Sequence, residues 1–184
     1  MSARRSLWGL VFLSGCAAAA SQSASENRPG TALVSPDAMG LLQRAAPSVQ
    51  WDATRALSID VNGDREVDLV VVGKGSDQVS IGIVVGPIGS KAKTNVLVFP
   101  VGKKTQDSLC ASTVHVTAED PRLPLGEWGC DTGSDSSKCS GVRANDAWLR
   151  THTLARGIRV DDEQCDSLHL YWDAAKSAVS WWRL

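Results

Sequence analysis

The chain has 184 residues, 43% of them hydrophobic, with 19 Lys and Arg against 20 Asp and Glu for a formal net charge of −1. That length suits one domain with a real core. The near balance of charge, without a basic run or patch, argues against nucleic acid as a partner, which would need clustered cations on its phosphates.

The first residues read as a targeting signal. Arg4 and Arg5 form a positive n-region, and residues 7–13 (LWGLVFL) are an apolar run of seven. Such a run is a short h-region, well below the ~20 residues a transmembrane helix needs. Leu13-Ser14-Gly15-Cys16 follows at once. This LSGC resembles the lipobox of bacterial lipoproteins, in which the Cys becomes the lipidated first residue of the mature chain. The resemblance implies a signal peptide over 1–15, fatty acyl chains such as palmitate on Cys16, and a membrane of the bacterial cell envelope as partner. Each buried methylene of an acyl chain contributes ~0.8 kcal/mol, and two or more chains make the anchor stable. Ala17 in place of Asp after the cysteine implies the outer membrane, with the domain facing the periplasm or the cell surface. An ordinary signal peptide cut within 17–20 is the competing reading.

Cleavage before Cys16 removes two of the 19 basic residues and no acidic one, leaving 17 against 20 and a net charge near −3. Residues 16–34 are small, polar and aperiodic, the composition of a flexible tether. Ser35-Pro36-Asp37 opens a short helix, with Ser35 as N-cap and Pro36 at the first helical position. Met39, Leu41, Leu42 and Ala45 continue it, and Pro47 ends it. Strand patterns then dominate, at 56–59, 67–72, 79–85, 95–101, 112–117, 153–160, 167–172 and 178–183. They are rich in Val, Ile and Leu and punctuated by Gly, Asp and Asn. Residues 119–146 read as a long polar connection. The spacing predicts a mainly β fold over 35–184, a sandwich-like single domain of antiparallel sheets with one short N-terminal helix.

With Cys16 set aside, Cys110, Cys130, Cys139 and Cys165 remain. In an exported chain an even set fits two disulfides, and four cysteines allow three pairings. Cys130 with Cys139, closing the loop CDTGSDSSKC, and Cys110 with Cys165 is the pairing expected. Zinc competes, but there is no C-x-x-C pair.

Two segments share a pattern. ALSIDVNGDREVDLVVVGKGSDQVSI from Ala56 and GIRVDDEQCDSLHLYWDAAKSAVSWW from Gly157 both run strand, acidic turn, apolar strand, polar turn, strand. They read as related hairpin units at the two ends of the domain; chance similarity among hairpins is the alternative.

In the first unit, Asp60, Asn62, Asp64 and Asp68 place oxygen side chains at loop positions one, three, five and nine. Glu66 at position seven offers its backbone carbonyl. A hard cation such as Ca²⁺ takes six to eight oxygens at ~2.4 Å, and alternate residues of a tight loop supply them. An EF-hand is disfavoured, because its twelfth position, a bidentate Glu, is here Val71. The strand–loop–strand setting of D-x-N-x-D-x-x-x-D-L, over about residues 57–86, resembles the calcium loop of FG-GAP (VCBS, integrin-α-like) repeats. That resemblance implies Asp60, Asn62, Asp64 and Asp68 as side-chain ligands of a structural Ca²⁺, and Glu66 through its carbonyl. The family has Gly where this chain has Arg65, and Asp161, Asp162 and Asp166 of the second unit do not keep the ligand spacing. A solvated acidic turn is the plain alternative, helped by Asn62-Gly63.

No nucleophile elbow, zincin helix or phosphate-cradling Gly loop is present. His115 and His169 fall in alternating strands. Tyr171-Trp172 and Trp181-Trp182-Arg183 suggest either a sugar- or peptide-binding face or a buried last strand. No catalytic residue is assigned. The expected function is an envelope-anchored, non-enzymatic binding or structural module, with its protein or glycan partner unspecified. The alternative is a secreted hydrolase or inhibitor-like factor using the loop 119–146, which a cleft of titratable groups near His152 would favour.

Overall fold

The computed structural model describes residues 34–122 and 137–183. The expected signal peptide, Cys16, nearly all of the tether, Cys130 and the side chain of Cys139 lie outside the described residues. The fold is mainly β. Helix α1 (Pro36–Ala45) leads into β1 (Gln50–Ile59), β2 (Asp68–Lys74), β3 (Gln78–Val84) and β4 (Thr94–Pro100), which form one antiparallel sheet in that order. Strand β5 (His115–Glu119), helix α2 (Ser137–Leu149), and strands β6 (Gly157–Asp161), β7 (Leu168–Asp173) and β8 (Ala178–Trp182) follow. The second sheet runs β5-β6-β7-β8, also antiparallel.

The inner faces of both sheets share one core. Leu57, Val70, Ile81 and Phe99 come from the first sheet, and Ile158, Val160, Leu168 and Leu170 from the second. All alternate with outward residues, as the two-residue period of a strand requires. The first sheet is covered on its other face as well. There Ala38 and Leu42 of α1 pack on Leu69, Val71 and Val84, which explains why β2 reads as an unbroken apolar run instead of an alternating one. Gly82 makes room for this layer, since a Cβ there would run into Leu42 and the Trp51 ring. The N-terminus of α1 is as expected: Ser35 Oγ accepts the Ala38 amide at 3.2 Å and Pro36 opens the first turn.

Helix α2 departs from the sequence expectation, which had a single helix and a connection over 119–146. Gly141, Asn145 and Asp146 depress helix propensity and hid its period. In the fold Asn145 and Leu149, one turn apart, are buried, and Arg150 pairs with Asp146 at 2.7 Å. Two strands also start later than expected, β5 at His115 and β6 at Gly157. Residues 153–156 are instead a turn against the acidic loop. The two similar hairpin units, β1-β2-β3 and β6-β7-β8, do not pair with one another: each lies in its own sheet, and they meet face to face across the core.

Candidate functional site

The β1–β2 loop folds its acidic side chains back over its own backbone. Asp60 Oδ1 accepts the Gly63 amide at 2.6 Å and its Oδ2 the Arg65 amide at 2.9 Å. Asn62 Oδ1 accepts from Asp64 N at 3.1 Å, and Asp64 Oδ1 accepts from Glu66 N at 2.8 Å. These successive Asx turns fix the loop's backbone through its own side chains. Arg65, where the resembled family has Gly, stands at φ 75°, so the loop makes the sharp turn with a side chain in the left-handed region. That conformation costs roughly 1 kcal/mol.

Asp68 closes the loop from the first position of β2. It is fully buried, and its two oxygens accept Val61 N and Gly86 N, each at 2.7 Å. Burial pushes its carboxyl up to about 6, the Asp60 and Asp64 charges add to that, and the two amides oppose it. An opposite charge beside Asp68 would offset this rise, because it favours the ionised form. The loop thus carries four oxygen-bearing side chains, two of them on buried residues, but the carboxylate oxygens of Asp60, Asp64 and Asp68 do not all come within 4.8 Å of one another.

The second acidic turn is built for a different task. Asp162, only 4% exposed, accepts four amides: Gln164 and Cys165 on Oδ1, Cys110 and Ala111 on Oδ2. Burial raises its carboxyl, but the four amides outweigh that and hold it below the usual carboxylate range. Beside it Cys110 and Cys165 form a disulfide with their Cα atoms 5.8 Å apart, as expected. Cys110, Asp162 and Cys165 are the one group of acids, sulfurs and imidazoles among the described residues whose ligand atoms all fall within 4.8 Å. The two sulfurs are bonded to each other, so this corner is a covalent clasp and not a thiolate metal site. The loop carboxylates of Asp60, Asp64 and Asp68 are not drawn into so tight a group.

The acidic loop is not isolated. Asp60 O accepts the Arg156 amide at 2.8 Å, and Gly63, at φ 70°, lies so close to the α2–β6 turn that a Cβ would sit 2.8 Å from the His152 Cβ. On the far side of that turn is a cavity of about 260 Å³ lined by Asp120, Arg122, Asp146, Arg150, His152 and Arg156, among others. His152 is stacked on Trp148 with ring centroids 4.2 Å apart. The sequence pointed to His152 but not to its five arginine and aspartate neighbours on the helix and strand ends, because α2 is not legible in it. No periodic signal pointed to Arg150 and Arg156.

The remaining histidines are occupied. His169 Nδ1 lies 2.9 and 3.0 Å from the two Glu119 oxygens and the ring stacks on Trp182. His115 is exposed, 3.3 Å from Glu163. Trp181 and Trp182 point to opposite faces: Trp181 meets Phe99 edge-on in the core, whereas Trp182 is buried under His169 on the outer face. The terminal aromatics therefore close the second sheet and do not form a broad exposed platform. No family model, curated protein or solved structure matches the chain.

Proposed function

We propose that the chain is an envelope-anchored lipoprotein whose β domain is a non-enzymatic binding or structural module, stiffened by Ca²⁺ in the β1–β2 loop. Asp60, Asn62, Asp64 and Asp68 are the side-chain ligands of this reading and Glu66 adds its carbonyl. The observation that supports it most is Asp68: a fully buried carboxyl next to two further acidic residues, an arrangement that a divalent cation stabilises. The ion ties the end of β1 to the start of β2 and takes no part in chemistry. Lipid on Cys16 holds the module at the membrane, with residues 17–34 as spacer. Two experiments test this. Mass spectrometry of the chain extracted from membranes reads acyl groups on Cys16, which Cys16→Ser abolishes, and a calcium titration reads the loop.

One observation favours a second reading, a secreted hydrolase or inhibitor-like factor. The cavity beside His152 is lined by titratable groups, among them Asp120 and Asp146 near the two ends of residues 119–146. Under that reading His152→Ala abolishes hydrolysis of a chromogenic ester, glycoside or peptide substrate while leaving the fold intact. The absence of turnover by the unaltered chain across those three substrate classes removes it.

A further inference from the structure

We propose that the cavity between α2 and β6 binds a small hydroxylated carboxylate, a body of the size of one sugar acid. This inference does not depend on the calcium reading. At about 260 Å³ the cavity lies just under the ~300–1,000 Å³ of ordinary ligand pockets, so it admits one ring-sized molecule.

Its walls offer three kinds of contact. Leu149, Ala155 and Pro121 supply apolar surface for the body of a ligand. The arginines supply the charge. Arg122 is aimed by Asp120 at 3.2 Å and Arg150 by Asp146 at 2.7 Å, and each guanidinium, with five N–H groups, keeps donors to spare. Arg156 has its backbone fixed by Asp60, and among the described residues its guanidinium has no carboxylate partner. Two cations are thus balanced and the third is not. One unbalanced guanidinium matches one negative charge in a fork geometry, which favours a carboxylate over a doubly charged phosphate.

His152 supplies the opposite polarity. Thr151 Oγ1 donates its single proton to Trp148 O at 2.8 Å. The His152 Nδ1 contacts with Trp148 O and Thr151 Oγ1, both 2.9 Å, are therefore made to two acceptors, and the ring proton must sit on Nδ1. Nε2 makes no hydrogen bond among the described residues, and where it carries no proton it accepts one from a ligand hydroxyl.

The test is a calorimetric titration of the purified full chain with D-glucuronate, with D-glucose, inorganic phosphate and the Arg156→Ala variant as comparisons. The expected result is saturable binding of glucuronate, weakened at least about tenfold when the carboxylate is missing, as in glucose, or when the guanidinium is, as in the variant. Arg156 is exposed and Ala keeps the backbone amide that bonds Asp60, so near-ultraviolet dichroism of the variant stays unchanged. No saturable heat at millimolar glucuronate overturns the proposal. So does equal binding of glucose, tighter binding of phosphate, or undiminished binding by the variant.

Discussion

The carbonyl of Asp60 accepts the amide of Arg156 at 2.8 Å, which joins the acidic loop of the first sheet to the turn that leads into β6 of the second. Three residues along from Asp60, Gly63 presses on His152 at a backbone angle that excludes ordinary side chains. Loop and turn therefore stand or fall together.

The contact predicts opposite effects at two neighbouring positions. Gly63→Ala places a Cβ 2.8 Å from that of His152 at positive φ and lowers stability by roughly 2–3 kcal/mol. Arg65→Gly removes a left-handed side-chain conformation and raises stability by up to about 1 kcal/mol, less the extra freedom of the unfolded chain. Urea midpoints at constant slope measure both. A tolerant Gly63→Ala would mean that the loop does not rest on the turn.

Asp162 predicts a large loss from one carboxylate. Asp162→Ala strands four amides around a 4%-exposed position and costs on the order of 3 kcal/mol or more. Asp161→Ala removes a carboxylate whose side chain is 30% exposed and paired with Arg159, a change of about 1 kcal/mol or less. Similar losses for the two would contradict the assignment of Asp162 as the anchor of the loop around Cys110.

The disulfide next to it closes a separation of 55 residues. A loop of that length corresponds to roughly 4 kcal/mol of chain entropy removed from the unfolded state. The double change Cys110→Ser with Cys165→Ser lowers the unfolding free energy by about that amount in oxidising buffer. An unchanged denaturation curve would contradict the clasp.

How far these features are legible in the sequence differs by feature. The eight strands carry local runs of aliphatic, β-branched or aromatic residues, and Ser35-Pro36 announces α1 because a cap is a local device. The even set of cysteines suggested disulfides but left three pairings open, and the fold brings Cys110 to Cys165. Helix α2 was not legible, since Gly141, Asn145 and Asp146 obscure its period and it is held by burial of Asn145 and Leu149. The cavity was invisible for the same reason. Arg122, Arg150 and Arg156 come from three different stretches, and only the packing of the acidic loop on the α2–β6 turn sets their common wall. The roles of Asp60 and Asp162 also split in a way spacing does not reveal: both sit just past a strand, yet one lies beside further carboxylates and the other among amides.

The pH dependence of stability follows from the same split. Asp68 rises from 3.8 to about 6 on folding, so the native state holds its proton more tightly than the unfolded chain does. Its contribution is fully present below pH 3.8 and is lost as pH rises through about 6, an effect of roughly 3 kcal/mol. Asp162, depressed on folding, contributes above pH 3.8 and loses that contribution only as pH falls through its lower native value. In chelator, thermal melts then show the domain more stable at pH 5 than at pH 7, and saturating calcium reduces or reverses the difference. A melting temperature that falls steadily from pH 7 to pH 5 in chelator would contradict the burial of an uncompensated Asp68.

Calcium binding by the β1–β2 loop is tested most directly by a calorimetric calcium titration of the purified full chain, paired with thermal melts and the Asp64→Ala variant. Asp64 is exposed and bonds only within the loop, so the variant folds. One saturable site that raises the melting temperature of the unaltered chain and disappears in the variant is the expected result. No heat and no shift up to millimolar calcium, or a site that survives Asp64→Ala, would contradict it and leave the loop as an acidic turn.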